Sequence, residues 1–564
     1  MKILFSRALL FVGAIMMLTG CNKKMSQFAA DYFTTNPNPL EVVGTQVPAE
    51  VTANVPAKFF KKNAEVTVTP VLVYAGGEAT STPYSFQGEK VRGNATTVSY
   101  DNGGSYTIPV NFTYEPAMQK SELFLDFNVK QGSKTYVLPR VKVANGVIAT
   151  AALANAATVD PALIPDKFQR IINEKYTADI LFLINQANIR NNQLTTAQME
   201  SFNADLKNAA NDTSRVIEDI NISSYASPDG PWEFNNQLAQ RREATTNDYL
   251  TKQLKKESIT DFGEITKQFT AEDWEGFKEL VEASNIQDKQ LILSVLSMYK
   301  DPEQREREIH NLSNVFETLA ETILPQLRYS RLTASVNVIG KSDDEINHFF
   351  DNDPAALSVD EILYAATLTK DLNRKAAIYK KATELYANDY RTWNNLGMVQ
   401  YQAGNIEAAK ACFNRAAQYA PAAAEAQMNL GLVSLAEGDY AAANRAFGNA
   451  AGVKELGDAL GVYHLKTGNA AAAVKAFGNS KTNNAALAQI IVKDYGTARQ
   501  TLASITEPDA TTYYLTAILG ARTNNSQLVT SNLRQAIKLD QNYAKQAAND
   551  LEFAKFNLQG VLGN

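Results

Sequence analysis

The sequence predicts a multidomain chain: an all-β sandwich first, a central α+β domain with a helical insertion, and an α-solenoid of repeats at the C-terminus. Three observations predict this order. Between residues 35 and 150, short runs alternate apolar and polar residues and are broken by turn-forming clusters. Between residues 177 and 254 the apolar spacing changes between strand-like and helix-like, giving strand, helix, strand, helix. From Trp393 onward a pattern of large and small residues recurs with an offset of 34. A chain of 564 residues is long enough for several domains of ordinary size.

Composition excludes some function classes. The chain carries 54 basic and 60 acidic residues, a net charge of −6, which argues against a generic nucleic-acid binder. Its two cysteines, Cys21 and Cys412, are too few for a disulfide framework. His310, His348 and His464 are scattered without metal-ligand spacing and read as structural or surface residues. The sequence has no nucleophile elbow, phosphate loop or metal cluster, so no enzyme, cofactor or metal is expected.

The chain opens with "MKILFSRALLFVGAIMMLTGC". Lys2 and Arg7 precede an apolar run from Ala8 to Leu18, and Thr19-Gly20-Cys21 follows. A basic start, a short apolar stretch and small residues make a secretory signal rather than a membrane span. "LTGC" resembles the bacterial lipobox. The resemblance implies cleavage after residue 20 and acylation of Cys21, with residues 21–34 as a lipidated tether. Each buried CH₂ contributes about 0.8 kcal/mol, so several acyl chains hold a protein on a membrane where one does not. "NKKMSQF" lacks an Asp directly after the Cys, which by the same resemblance implies outer-membrane sorting. The face is open, with the periplasmic side favoured over the cell surface.

Residues 35–150 carry the strands of the expected sandwich. "AEVTVTPVLVY" alternates Val66 and Val68 with Thr67 and Thr69, and "SYTIPVNFTY" alternates Tyr106, Ile108, Val110 and Phe112. "SELFLDFNV" and "KTYVLPRVKV" are split by Lys130-Gln131-Gly132-Ser133, as in a hairpin. Pro70, Pro109 and Pro139 inside these runs predict edge positions or bulges. Nothing in this domain carries chemistry.

Residues 151–176 read as an Ala-rich connector, and the central domain spans 177–340. "TADILFLINQANIRNNQL" is a strand ending in a polar turn, "TTAQMESFNADLKNAAND" a helix with Met199, Phe202 and Leu206 on one stripe, and "VIEDINISSYA" a second strand. Asp229-Gly230-Pro231 ends that strand, and a helix follows from about Trp232 to Leu254. Asn235, Leu238, Ala239 and Arg242 share one face of it. This order, with "SYASPDG" and "NNQLAQRRE", resembles the OmpA-like peptidoglycan-associating domain. Gly230, Asn235, Leu238 and Arg242 stand at that family's spacing. The resemblance implies that Arg242 grips a carboxylate of the diaminopimelate in the peptidoglycan stem, a task suited to a planar guanidinium fork. The family's Asp, which pairs with the ligand's amine, is replaced by Ser227, and Asp229 two residues on is a candidate substitute. Arg331 falls roughly where the family often has a basic residue. A helical insertion of about residues 270–325 precedes the returning strand "LRYSRLTASVNVIG".

Residues 341–356 read as an acidic, turn-rich linker, and 357–564 as the repeat domain. Leu396, Gly397, Ala409, Phe413 and Ala416 recur as Leu430, Gly431, Ala443, Phe447 and Ala450. This is similar to the tetratricopeptide repeat, in which small residues let two helices approach and large ones fill the gap. Leu460, Gly461, Ala473 and Phe477 follow at an offset of 30, which predicts a shortened turn. Cys412 reads as a small buried filler, and the helix around "AANDLEFAKFNL" as a cap. Such arrays curve, and their concave face commonly binds a peptide or protein.

Together these resemblances imply a non-enzymatic outer-membrane lipoprotein that tethers or scaffolds envelope components. Its partners would be membrane lipid through Cys21, peptidoglycan through Ser227, Asp229, Asn235 and Arg242, and a protein on the solenoid. The alternative is an assembly or secretion accessory, or a surface-exposed lipoprotein, whose degenerate OmpA-like domain does not bind peptidoglycan.

Overall fold

The structure, a computed structural model, describes residues 24–311 and 313–562. The targeting segment and Cys21 lie outside the described residues. The chain forms two compact units: the part up to Pro165 packs with Thr369 onward, and Asp166–Leu368 packs by itself.

The first unit begins with strands β1 (Phe33–Asn36), β2 (Leu40–Glu41), β3 (Gln46–Val55), β4 (Ala64–Tyr74), β5 (Gly77–Thr80), β6 (Tyr84–Gly88), β7 (Thr96–Val98), β8 (Gly104–Thr113), β9 (Ser121–Gln131), β10 (Lys134–Asn145) and β11 (Val147–Ile148). Among the described residues, one sheet has the order β1-β3-β8 and another β10-β9-β4-β6-β7, with β5 also on β4. β2 and β11 make a short parallel pair. Every second residue of β3, β8 and β9 points inward, including Val47, Val51, Ile108, Val110, Leu125 and Phe127, and these share one core. Alternation places the apolar set on one face because side chains of a strand switch sides at each residue. Pro109 lies on the edge strand β8. Pro139 falls in the register shift between Leu138 and Val141 of the edge strand β10. Pro70 sits where the pairing of β4 passes from β6 to β5, so its missing N–H interrupts neither ladder.

The second unit contains β12 (Ile171–Leu181), α1 (Asn191–Leu194), α2 (Ala197–Asn211), β13 (Arg215–Tyr225), α3 (Trp232–Lys256), β14 (Glu264–Thr270), α4 (Trp274–Ala283), α5 (Lys289–Met298), α6 (Pro302–Asn311), α7 (Ser313–Thr322), β15 (Tyr329–Ile339), α8 (Asp343–Asn352) and α9 (Val359–Ala365). The sheet order is β12-β15-β13-β14. β15 runs antiparallel to both of its neighbours, and β13 and β14 are parallel. Met199, Phe202 and Leu206 of α2 and Leu250 and Leu254 of α3 cover a core that includes Ile180, Ile220 and Leu332. Helices α4–α7, over the stretch read as helical, enclose their own core around Phe277, Val281, Ile292 and Leu319. β14 has no counterpart in the sequence reading, because it is almost wholly exposed and lacks an apolar stripe. β12 starts at Ile171, inside the stretch read as connector. The stretch read as a linker holds α8, which Ser342 and Glu345 close with a reciprocal capping box. Lys341 pairs with Glu361 of α9 at 2.9 Å, which ties both helices into this unit.

The first unit resumes with α10 (Leu372–Leu385), α11 (Tyr390–Gln402), α12 (Ile406–Tyr419), α13 (Ala424–Glu437), α14 (Tyr440–Gly448), α15 (Leu456–Lys466), α16 (Ala470–Phe477), α17 (Asn483–Ile491), α18 (Tyr495–Ala503), α19 (Ala510–Arg522), α20 (Ser526–Leu539) and α21 (Asn542–Asn549). From α11 the helices follow in pairs. In successive pairs the glycine of the first helix faces the phenylalanine of the second. A Cβ on Gly397, Gly431 or Gly461 would lie 2.6, 2.4 or 2.5 Å from the ring of Phe413, Phe447 or Phe477. The offset of 30 arises chiefly in the helix rather than in a turn, since α14 has 9 residues where α12 has 14. Cys412 is buried in α12, and burial pushes its thiol up to about 11, which leaves it unreactive. Strands and solenoid meet within this unit: Thr150 Oγ1 donates to Glu552 Oε1 at 2.5 Å, and Arg522 pairs with the same carboxylate at 2.6 Å.

Candidate functional site

The loop from β13 to α3 gathers the residues singled out in the sequence. Ala226 leaves β13 buried, and Pro231 precedes α3. The face formed by Asn235, Leu238, Ala239 and Arg242 is the buried face of α3. Asn235 closes the loop: its side-chain amide donates to the main-chain oxygens of Ser227 at 3.1 Å and Gly230 at 2.9 Å. Fixed in this way, the loop holds Ser227 and Asp229 side by side, and the Ser227 hydroxyl donates to Asp229 Oδ1 at 2.5 Å.

The charge that meets Asp229 comes from Arg328. Its Nη2 donates to Asp229 Oδ2 at 2.9 Å, and its Nε to Ser227 Oγ at 3.1 Å. Arg331, which the sequence reading placed near this site, instead forms a bidentate pair with Asp179 of β12 at 2.8 and 2.9 Å. That pair lines a cleft of about 520 Å³ with Gln193, Glu279 and Tyr329. Arg328 lies in the turn just before β15 and Arg331 within the strand, and the two guanidiniums meet different carboxylates.

Arg242 has 0% of its surface exposed. Its Nε donates to Gln186 O at 3.0 Å, its Nη1 to Tyr225 O at 2.8 Å and its Nη2 to Leu183 O at 3.2 Å. Its guanidinium lies 5.1 Å from the centre of the Phe182 ring. Burial, reinforced by the nearby Arg328, lowers its pKa to about 10, with Asp229 opposing. The arrangement sews the loop after β12 and the end of β13 onto α3. The sequence places Ser227, Asp229, Asn235 and Arg242 in one neighbourhood, and the structure turns them onto one another and onto main-chain carbonyls. The cleft beside the loop, about 340 Å³, is lined by Glu233, Glu303, Glu306 and Arg307. Burial, with Asp229 and Glu303 close by, raises the pKa of Glu306. Such a lining disfavours a carboxylate ligand.

The surface formed by the first helices of the repeats holds the connector of residues 154–164. Asn484 of α17 accepts from Asn155 N at 3.0 Å and donates to Asn155 O at 2.9 Å. Asn429 of α13 binds both main-chain groups of Ala162, at 2.7 and 2.8 Å. Asn395 of α11 does the same for Ile164, at 3.0 and 2.9 Å. Asn394 adds a bond to Ala162 O at 3.0 Å, and the Tyr401 hydroxyl one to Ala156 O at 2.9 Å. The inward side chains Ala154, Ala156, Val159 and Ala162 belong to the core of the solenoid. Among the described residues, no group of His, Cys, Asp and Glu could hold a metal ion, and no helix is long and apolar enough to cross a membrane.

A tetratricopeptide repeat family model matches residues 390–423. No curated protein matches the chain. Among solved structures it is similar to a tetratricopeptide repeat protein from Parabacteroides merdae, at 13% identity over 37% of this chain and 91% of that one, with a TM-score of 0.30. It is also similar to Pseudomonas aeruginosa pilF, at 16% identity over 37% and 99%, with a TM-score of 0.29. YrrB, a tetratricopeptide protein described as having an unusual peptide-binding site, matches at 22% identity over 31% and 98%, with a TM-score of 0.24. The C-terminal region is therefore a tetratricopeptide-like helical solenoid, a fold that typically serves as a non-catalytic protein-interaction module.

Proposed function

We propose that this chain is a non-enzymatic scaffold of the bacterial envelope, anchored in the outer membrane by acyl chains on Cys21 and working through protein contacts. The solenoid supports the protein-contact part, and the "LTGC" motif supports the anchor. The strand and helix order of the middle unit, with Gly230, Asn235, Leu238 and Arg242 at the family's spacing, supports reading it as an OmpA-like domain. In this reading the domain is a braced structural element and not a peptidoglycan clamp. One observation carries it: Arg242 is wholly buried with its donors on three main-chain carbonyls, while Arg328 occupies Asp229. A zwitterionic stem amino acid would have to displace that ion pair and unpick buried hydrogen bonds before it met a free charge.

Co-sedimentation with purified sacculi tests this reading. The wild-type chain should stay in the supernatant with an inert control protein. Pelleting that free diaminopimelate competes away, and that Arg242→Ala abolishes in a folded protein, would overturn it in favour of a wall tether. Fractionation tests the anchor: Cys21→Ser should move the protein out of the membrane pellet.

A further inference from the structure

The groove of the solenoid is built to read a peptide main chain. Each of Asn395, Asn429 and Asn484 offers its carbonyl to one N–H and its amide to the C=O of the same residue, as a neighbouring β-strand would. Asn394 links the set laterally, donating to Asn395 Oδ1 at 3.1 Å and accepting from Asn429 at 2.9 Å. All four asparagines are at least 95% buried. Buried amides are costly without partners, so an array of them implies a bound backbone. Side-chain selection is limited to size. Inward positions hold Ala154, Ala156, Val159, Pro161, Ala162 and Ile164, whereas Asn155, Ala157, Asp160 and Leu163 point outward and are exposed.

We propose that this groove is a receptor for the main chain of a peptide with apolar, mostly small residues at its inward positions, and that residues 154–164, which carry one 3-10 turn at Ala156–Thr158, are its resident ligand, closing it to partners. The proposal deepens the reading of the solenoid as an interaction module and is independent of the wall. A ligand on the same chain acts at an effective concentration in the millimolar range, so a free peptide with the same bonds cannot compete at micromolar levels. A partner reaches the groove only by displacing this segment. It would carry a stretch with uncharged, mostly alanine- or valine-sized residues at the inward positions, because no charged side chain takes part in the recognition.

The test uses the full chain and a fluorescein-labelled synthetic peptide with the sequence of residues 152–166, followed by anisotropy. The wild type should show no saturable uptake at micromolar concentrations. Val159→Arg combined with Ala162→Arg places bulk and charge on the resident segment without touching the groove, and this variant should bind the peptide. Adding Asn429→Ala and Asn484→Ala should weaken that binding by about tenfold or more, since each removes a bidentate pair. Equal uptake by wild type and the arginine variant overturns the closure, and a folded arginine variant that takes up no peptide overturns the receptor. Either result leaves the scaffold reading standing, because that reading can rest on another face of the solenoid. Hydrogen exchange on the wild type is decisive even if the arginine variant does not fold. The bonded amides of Asn155, Ala162 and Ile164 should exchange as slowly as those of α13, and exchange at the rate of free chain overturns the resident ligand.

Discussion

Arg242 separates a ligand-facing residue from a brace by what its loss costs. Removing a surface side chain that waits for a ligand usually changes stability by less than about 0.5 kcal/mol. Arg242 is 0% exposed and supplies donors to Gln186, Tyr225 and Leu183. Arg242→Met keeps much of the bulk and strands three carbonyl oxygens, so the loss should be about 3 kcal/mol or more, read as a lower denaturant midpoint for the middle unit. Glu306 gives the opposite sign. Burial first, then the charges of Asp229 and Glu303, raises its pKa, while Arg307 opposes, and His310 lies 3.9 Å away. Its folded form therefore holds a proton more tightly than its unfolded form, and ionised Glu306 works against folding above the raised pKa. That penalty fades as pH falls toward the ordinary carboxylate value. Glu306→Gln should melt higher than wild type at pH about 7.5, and the gap should close by pH about 4, where Glu306 is itself neutral. The site was legible in the sequence as far as helix spacing reaches: Asn235 and Arg242 share a face and lie near Ser227 and Asp229. Arg328 was not legible, because it meets Asp229 from 99 positions away and only tertiary folding joins them. Spacing also cannot tell whether a guanidinium faces a ligand or its own main chain.

Elements built from local rules were the most legible. The 34-residue recurrence marks helix pairs because each glycine must admit the phenylalanine of the partner helix. Gly431→Ala sets two effects against each other. Alanine favours a helix interior by about 0.8–1.0 kcal/mol, but its Cβ would stand 2.4 Å from the Phe447 ring, and overpacking costs about 1–3 kcal/mol. The clash should prevail, so the solenoid should melt lower. A Gly431→Ala protein more stable than wild type would mean that the rings move aside freely. The strands of the N-terminal part were legible through alternation; Pro109 and Pro139 fell on edge strands as expected, whereas Pro70 lies on the interior strand β4, tolerated there because it sits between the β6 and β5 ladders. β14 escaped because a largely exposed edge strand has no apolar stripe to betray it. Residues 154–164 escaped for a related reason. Their inward residues are mostly small and their bonds run through the main chain, so in sequence they look like a plain Ala-rich connector.

At the scale of the whole chain, sequence order and compact units disagree, since the middle unit is inserted between the two parts of the other. Those two parts are held by several kinds of contact. The connector lies in the groove through paired amide bonds, Glu552 joins Thr150 to Arg522, and the left-handed Gly44 approaches the main chain of Lys466 so closely that a Cβ there would lie 2.7 Å from its oxygen. The inserted unit has cores of its own, one beneath its sheet and another among helices α4–α7. Covalent continuity through residues 166–368 should therefore be unnecessary for holding the first unit together. Protease sites placed after Lys167 and Lys370, both exposed near the boundaries, allow this to be measured. After complete cleavage, the segment ending at Lys167 and the one starting at Asp371 should co-elute on size exclusion and melt in one transition. If the strand-bearing fragment elutes alone, the groove and the Glu552 cluster do not hold these parts together, and the chain through the middle unit does. Adding the Val159→Arg and Ala162→Arg changes to the cleaved protein should weaken the association, because they eject the connector while leaving the Glu552 cluster in place.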